Sequence, residues 1–413
     1  MKVAIIGAGV AGIVSLKYAL EKGHECDCFE ETGEFGGTWV YTDENGEHEN
    51  GSKIYRSMYK DLITNLPKDV MVFMDFPYPE HVKESFISQQ QVLQYLTDYV
   101  NYFKLNSHIK YNETVTKVQP LPDNKWKVTT QKSENLSAYD AVFVCNGHFR
   151  YPKFPKIVGQ ELFTGFQIHS AEYRDRRLFR DKQVLIIGAS YSGTDIACQL
   201  KDMARTVYLS HWKPINIKIE NVLNKPAVEL FEFKNVVFAD GSIENIDAVI
   251  YCTGYEYRLP FLDESCGITI KNNWVQPLYK HIINIEHPTM FIIGYPHSLP
   301  SFLASDLQAR FSLTVLENKN LLPSKENMLK DLNDYLCNLR RKNIPQTQFH
   351  KVELGLEKYF AELVKISGIK HFPPVLLKLY MHKIKNPGKD DKLYKILDDE
   401  NYITCSTISS LSK

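Results

Sequence analysis

The sequence carries no excess of charge, no long apolar run and no paired cysteines, and each absence removes a class of function. Lysine plus arginine and aspartate plus glutamate both number 49 in 413 residues. No net field therefore draws the chain to nucleic acid or to an anionic membrane. The longest apolar runs, such as Ala248–Tyr251 and Met290–Ile293, are strand-sized. A membrane span needs roughly 20 apolar residues, so no membrane association is expected. Cys26, Cys28, Cys145, Cys198, Cys252, Cys266, Cys337 and Cys405 are scattered without a C-x-x-C pair, and the histidines stand singly. That spacing fits no zinc site, so no metal is expected. Several of these thiols fall in expected buried strands, where a reduced cysteine packs as a small hydrophobe. Met1 leads straight into an expected strand, so no leader peptide is expected. A soluble, cytoplasmic protein is favoured, with secretion the alternative if a leader has been removed.

What remains is an ordinary globular composition, 44% hydrophobic and 24% charged, with room for a large core and two domains. Its first forty residues carry the strongest pattern. Lys2–Ile6 reads as an apolar strand, Gly7-Ala8-Gly9-Val10-Ala11-Gly12 as a turn opening a helix, and Cys26–Glu30 as a second strand ending on an acid. Strand, glycine turn, helix, strand and acid is the order of a Rossmann dinucleotide site. Gly7 permits the tight turn, Gly9 lets backbone approach a pyrophosphate, and Gly12 lets the helix pack on the strand. The helix N-terminus offers N–H groups and positive dipole to the phosphates. Glu30, 23 residues after Gly7, is placed to accept hydrogen bonds from a ribose. A free carboxylate there favours FAD or NAD over NADP.

Further along, Glu34–Trp39 (EFGGTW) is a glycine turn suited to lie along a bound nucleotide, and residues 41–53 read as an exposed loop. Pro67 turns Leu66 away from helix, which leaves Thr64 and Asn65 in an ordered loop. Gln91–Phe103 has helical periodicity, Val115–Val118 and Lys125–Thr130 read as a hairpin, and Asp140–Cys145 as a buried strand. The second half then repeats the opening. Gln183–Ile187 is a strand, Gly188-Ala189-Ser190-Tyr191-Ser192-Gly193 a turn, Thr194–Ala204 a helix and Thr206–Ser210 a strand that ends in Ser210-His211-Trp212-Lys213. Residues 235–240 and 243–247 read as a hairpin before the buried strand Ala248–Cys252. Two such units imply two dinucleotides. Glu30 would repel a 2′-phosphate, whereas Ser210, His211 and Lys213 offer donors and charge, so FAD is expected in the first unit and NADPH in the second. Two nucleotides of this kind imply hydride transfer from nicotinamide to flavin. The only close cysteines, Cys26 and Cys28, lie within a strand and make a poor disulfide reductase.

Between the units, Phe163-Thr164-Gly165-Phe166-Gln167-Ile168-His169-Ser170-Ala171-Glu172-Tyr173 fits F-x-G-x-x-x-H-x-x-x-Y. This resembles the identifying motif of the flavin-containing monooxygenases, with Tyr173 pointing to the N- and S-oxygenating branch. A packed histidine in a turn is the reading favoured for His169 over a catalytic one. Gly36-Gly37-Thr38-Trp39 is similar to the family's segment along FAD, Thr64-Asn65 to its active-site asparagine element, and Thr253-Gly254-Tyr255 to its second-domain strand end. Gln308-Ala309-Arg310 resembles the late helix start near the flavin ring. The match runs in order over roughly residues 1–320 and is closest to compact insect members, some of which N-oxygenate pyrrolizidine alkaloids. It departs at Ser190, where glycine is usual, and at Trp212-Lys213, where the family has arginine. The tail from Asn386 to Lys413 is polar and charged, so the membrane anchor of vertebrate members is not expected.

The resemblance implies an NADPH- and O2-dependent enzyme that N- or S-oxygenates soft nucleophiles through a C4a-hydroperoxyflavin, of the N,N-dialkylaniline N-oxide-forming type. It assigns Asn65 a catalytic role. FAD is expected at Gly7, Ala8, Gly9, Val10, Ala11, Gly12, Glu30, Gly37, Thr38, Trp39, Thr64, Asn65 and Gln308. NADPH is expected at Gly188, Ser190, Ser192, Gly193, Thr194, Asp195, Ser210 and Lys213. The expected fold is α/β with two Rossmann-like dinucleotide-binding domains and a helical C-terminal segment. Residues 1–155 begin the FAD domain, 156–290 form the NADPH domain, and 291–413 return to the first. The partners are a small amine or thioether and O2, with a homo-oligomer left open. An NADPH oxidase or pyridine-nucleotide reductase of the same fold, and a flavin-bound scaffold without turnover, are the alternatives.

Overall fold

The structure is a computed structural model that describes residues 1–43, 46–47, 53–54, 57–133, 138–213, 217–352, 355–386 and 393–404. Most of the loop expected over 41–53, and Cys405, lie outside the described residues. Seven α-helices are present among them: α1 (Val10–Glu21), α2 (Gln89–Tyr102), α3 (Tyr191–Leu200), α4 (Ser301–Glu317), α5 (Lys325–Arg341), α6 (Leu356–Ser367) and α7 (Pro374–Lys385). The chain divides into two compact units, one of residues 1–39, 63–147 and 257–413, the other of 40–62 and 148–256. Residues 40–62, 148–155 and 257–290 thus group with the other unit from the one the sequence division gave them.

The first unit is built on a seven-stranded sheet in the order Leu278–Tyr279, Ile283–Asn284, Met290–Ile292, Ala141–Val144, Lys2–Ile6, Glu25–Phe29, Ile109–Lys110. The last five strands are parallel and the first two run antiparallel. Ala141–Val144 and Met290–Ile292 are fully buried, as parallel strands covered on both faces must be. α1 packs on α4, and 13 of the 17 residues of α4 are buried. A helix that apolar belongs inside the fold. α2 begins two residues earlier than its periodicity suggests, because Ser88 and Gln91 form a reciprocal capping box. The expected hairpin is present as Val115–Leu121 against Lys125–Thr130. Its Trp126 is fully buried with Nε1 donating to Thr289 Oγ1 at 2.9 Å.

Two successive hairpins form the far side of this unit. The first turns at Asn272-Asn273 (φ 50 and 60°) and the second at Lys280-His281 (φ 51 and 60°). Asparagine tolerates positive φ, while a residue such as lysine held there costs of the order of 1–3 kcal/mol unless its surroundings fix it. The tail is not uniformly irregular: Tyr394–Ile396 pairs with Tyr402–Thr404, and Tyr394 N donates to Ser85 Oγ at 2.7 Å.

The second unit holds a five-stranded parallel sheet in the order Phe166–His169, Ala248–Tyr251, Gln183–Ile187, Thr206–Ser210, Val222–Lys225. The hairpin expected over 235–247 belongs to a three-stranded meander with Val228–Glu232. In both units the strand before the glycine turn lies between the next strand in sequence and a much later one. That is the topological switch point at which α/β sheets bind ligands.

Candidate functional site: two glycine turns on one plan

The first turn is closed by sterics. Gly7 has φ +98°, and a Cβ there would lie 2.7 Å from the Cys145 carbonyl oxygen; a Cβ on Gly12 would lie 1.8 Å from Gly7 O. α1 therefore meets the strand at a distance no side chain allows. Gly9 caps α1 in an extended conformation with no side-chain bond, and the first turn carries no acid. The leading N–H groups of Val10, Ala11 and Gly12 are left for an anion. Gly36 N donates to Ala8 O at 2.9 Å, and a Cβ on Gly37 would lie 2.9 Å from Gly9 Cα. Thr38 and Trp39 are thereby carried beside the turn, where the Trp39 carbonyl accepts from Gln89 Nε2.

Glu30 is buried and aimed back at the turn. It accepts from Ala8 N at 2.9 Å on one oxygen and from Thr32 N and Oγ1 at 2.9 and 2.8 Å on the other. Burial pushes its pKa up against those hydrogen bonds. Thr64 is pinned by a reciprocal pair with Ile87, its N donating at 2.9 Å and its Oγ1 accepting at 3.1 Å. Asn65, next to it, is exposed. Gln308 is fully buried; its Oε1 accepts from Gly294 N at 2.8 Å and its Nε2 donates to Tyr359 Oη at 2.7 Å. Its amide reaches the turn only through the Gly294 loop, where a Cβ would stand 3.5 Å from Ala11 Cβ.

The second turn repeats these constraints. Gly188 has φ +109°, with a Cβ position 2.3 Å from Cys252 O, and a Cβ on Gly193 would lie 1.8 Å from Gly188 O. Ser190, exposed and extended, caps α3 without a side-chain bond. Ser192 lies in the first turn of α3, and Thr194 Oγ1 bonds back to the Ser190 and Tyr191 carbonyls at 3.1 Å. Asp195 accepts from Tyr59 Oη at 2.6 Å. Gly7 N donates to Phe29 O (2.8 Å) as Gly188 N donates to Ser210 O (2.9 Å). The counterpart of Glu30 is therefore His211, and not Ser210, whose buried hydroxyl donates to Pro226 O at 2.6 Å. Trp212 is 69% exposed and Lys213 Nζ lies 4.5 Å over its ring. His211 Nδ1 accepts from Lys213 N at 3.1 Å.

The sequence reading missed the residue behind each turn. Cys145 and Cys252 directly follow equivalent strands and supply the carbonyls that Gly7 and Gly188 face. The matched tripeptides Cys145-Asn146-Gly147 and Cys252-Thr253-Gly254 carried that signal. In the 163–173 segment, a Cβ on Gly165 would lie 2.5 Å from the Phe163 ring. His169 is fully buried with Nδ1 accepting from Ala171 N at 3.1 Å, and burial lowers its pKa to about 4. It is a neutral packed histidine. Tyr173 Oη donates to Gln199 at 3.0 Å, and the buried Arg174 donates to the carbonyls of Met58, Ala171 and Tyr173. Among the described residues no helix is long and apolar enough to cross a membrane.

Each unit thus has a glycine-shaped cradle at a helix N-terminus, which fits a dinucleotide pyrophosphate, and this defines a two-nucleotide α/β flavoprotein. The flavin-binding monooxygenase-like family matches residues 1–217 and 212–387, and the chain belongs to it. Senecionine N-oxygenase of Tyria jacobaeae is 35% identical over 96% of this chain and 89% of its own length. The Arabidopsis thaliana protein flavin-containing monooxygenase FMO GS-OX-like 1 is 33% identical over 84% and 78%. Among solved structures, S-allyl-L-cysteine S-oxygenase from Allium sativum has a TM-score of 0.87 at 30% identity, covering 93% of this chain and 92% of its own. Tmm from Pelagibacter sp. strain HTCC7211 has a TM-score of 0.84 at 28% identity, covering 94% and 92%. The chain is a flavin monooxygenase of soft nucleophiles that uses FAD and NADPH.

Proposed function

We propose that this monooxygenase forms N-oxides from tertiary amines, pyrrolizidine alkaloids among them, with FAD on the first glycine turn and NADPH on the second. The observation that carries the substrate class is the likeness to senecionine N-oxygenase across nearly the whole of both chains. When bound, the reduced flavin activates O2 and one oxygen atom passes to the amine nitrogen while the other leaves as water. The residues of the chain bind and orient. Val10, Ala11 and Gly12 hold the FAD pyrophosphate, Glu30 takes the ribose, and Gly37 to Trp39 lie along the nucleotide. Gln308 acts as a positioning residue, because Gly294 and Tyr359 fill its bonds. Asn65, exposed on a loop that Thr64 fixes, offers its amide to the reacting oxygen. Lys213, with Trp212 beside it, meets the 2′-phosphate of NADPH, and α3 meets its pyrophosphate.

The test is a panel of tertiary amines, senecionine included, and thioethers, scored by oxygenated product and not by NADPH loss. N-oxide formed in stoichiometry with NADPH supports the reading; S-oxide alone contradicts the substrate class. In Asn65→Ala the FAD content should stay at the wild-type level while the ratio of product to NADPH falls at least about tenfold, the scale of one lost charge-directed hydrogen bond. Full retained coupling removes Asn65 from the role.

A further inference from the structure

One cavity of about 530 Å³ is used by neither nucleotide. It is of the size that holds a small organic molecule, for which roughly 300–1,000 Å³ is usual. It lies wholly in the first unit, between the Lys280-His281 turn and helices α5 and α6, with walls that include Trp274, Leu332, Tyr335, Ile344 and Tyr359. None of the residues assigned to FAD or NADPH lines it.

The polar groups of this cavity are fixed in a way that selects a ligand. Val275 N donates to His350 Nε2 at 3.0 Å, so His350 carries its proton on Nδ1. The His281 and His350 Nδ1 atoms are 3.2 Å apart, and His350 must be the donor. His281 is then protonated on Nε2 alone, and it lines the cavity as an N–H donor. Burial pushes its pKa down to about 3, which keeps the pair neutral. The His281 ring stands edge-on to Trp274, Tyr335 and Tyr359, with centroids 5.1–5.9 Å away, so its direction is locked. Lys280 also lines this space, its ammonium paired with Asp331 and Glu362, both at 2.8 Å.

The turn itself is a second observation. The neighbouring hairpin uses Asn272-Asn273 at positive φ, the residues that suit it, while this one places Lys280 and His281 there. Positive φ at both positions fixes where the two side chains leave the backbone. We propose that the cavity is a binding site, separate from oxygenation, for an uncharged aromatic molecule with one hydrogen-bond acceptor, which His281 Nε2–H engages while Trp274, Tyr335 and Tyr359 enclose the ring. The bland alternative, that Lys280 and His281 only pin α5 and α6 to the sheet edge, predicts no such ligand.

Two probes of one shape separate these outcomes. Acetophenone carries an acceptor and ethylbenzene does not; their binding to the FAD-loaded protein is measured by calorimetry and ligand-observed NMR, with FAD content as the check on folding. Acetophenone should bind saturably and about tenfold more tightly than ethylbenzene, the worth of one hydrogen bond. His281→Phe should abolish that difference. Leu339→Trp, made at a half-buried helix position on the cavity wall, should displace both probes and leave FAD in place. Equal affinity for the two probes, no saturable binding, or binding that survives Leu339→Trp overturns the proposal. Should His281→Phe lose FAD, the probe ratio and Leu339→Trp decide alone.

Discussion

Glu30 and His211 follow equivalent strands, one an acid and the other not, and the proposed division of nucleotides rests on that difference. Ser210 drops out of the phosphate contacts as it stands, because its hydroxyl is held by Pro226. Lys213, three residues on, is exposed. Lys213→Ala should raise the KM for NADPH about tenfold more than that for NADH, since a charge-assisted contact to phosphate is lost in one case only; equal changes would place the 2′-phosphate elsewhere. His169 makes a prediction about pH. Its folded pKa, about 4, lies below the unfolded value of about 6.5, so the unfolded chain binds the extra proton between them. Stability from this residue is complete above about pH 6.5 and lost as pH falls toward 4, on the order of 3 kcal/mol in all. His281 acts with the same sign. Urea midpoints should therefore fall between about pH 7 and 4.5 in the wild type, and fall less in His169→Gln. A variant with an unchanged slope would mean that His169 titrates normally.

At the scale of elements, the two turns should be separable by one methyl group each. Gly12→Ala places a carbon where Gly7 O stands and should leave a protein without flavin absorbance. Gly193→Ala should keep its flavin and lose saturable reduction by NADPH; flavin loss in both would mean that the effects are global. These elements were legible in the sequence because their rules are local. Lys2–Ile6, Gln183–Ile187 and Thr206–Ser210 end where expected, each an apolar run closed by a glycine or polar break. α3 was set late, since its first turn lies inside the glycine pattern, at Tyr191. The edge strand Val222–Lys225 and the Tyr394–Thr404 hairpin were not legible. Val222–Lys225 has one buried residue and carries no strong alternation, and the hairpin is anchored by Ser85, 309 residues away. The His281–His350 pair is also non-local, and two single histidines gave no sign of it.

For the whole molecule, two copies of one nucleotide-binding plan make a flavin monooxygenase, and the family likeness extends over residues 1–217 and 212–387. Fold and cofactors were readable from the repeat and its motifs. The substrate was not, because none of the motifs in the sequence belongs to a substrate pocket, and a fold does not by itself select one. Relatives accordingly include both an N-oxygenase and an S-oxygenase by name. Oxygen from O2 should reach the substrate, and isotope transfer follows it. The FAD-loaded protein is given NADPH, senecionine and isotopically heavy O2, and the products are weighed by mass spectrometry. One heavy oxygen is expected in each N-oxide, with one N-oxide for each NADPH consumed. NADPH consumed with only hydrogen peroxide formed, or label entering from water, would contradict it.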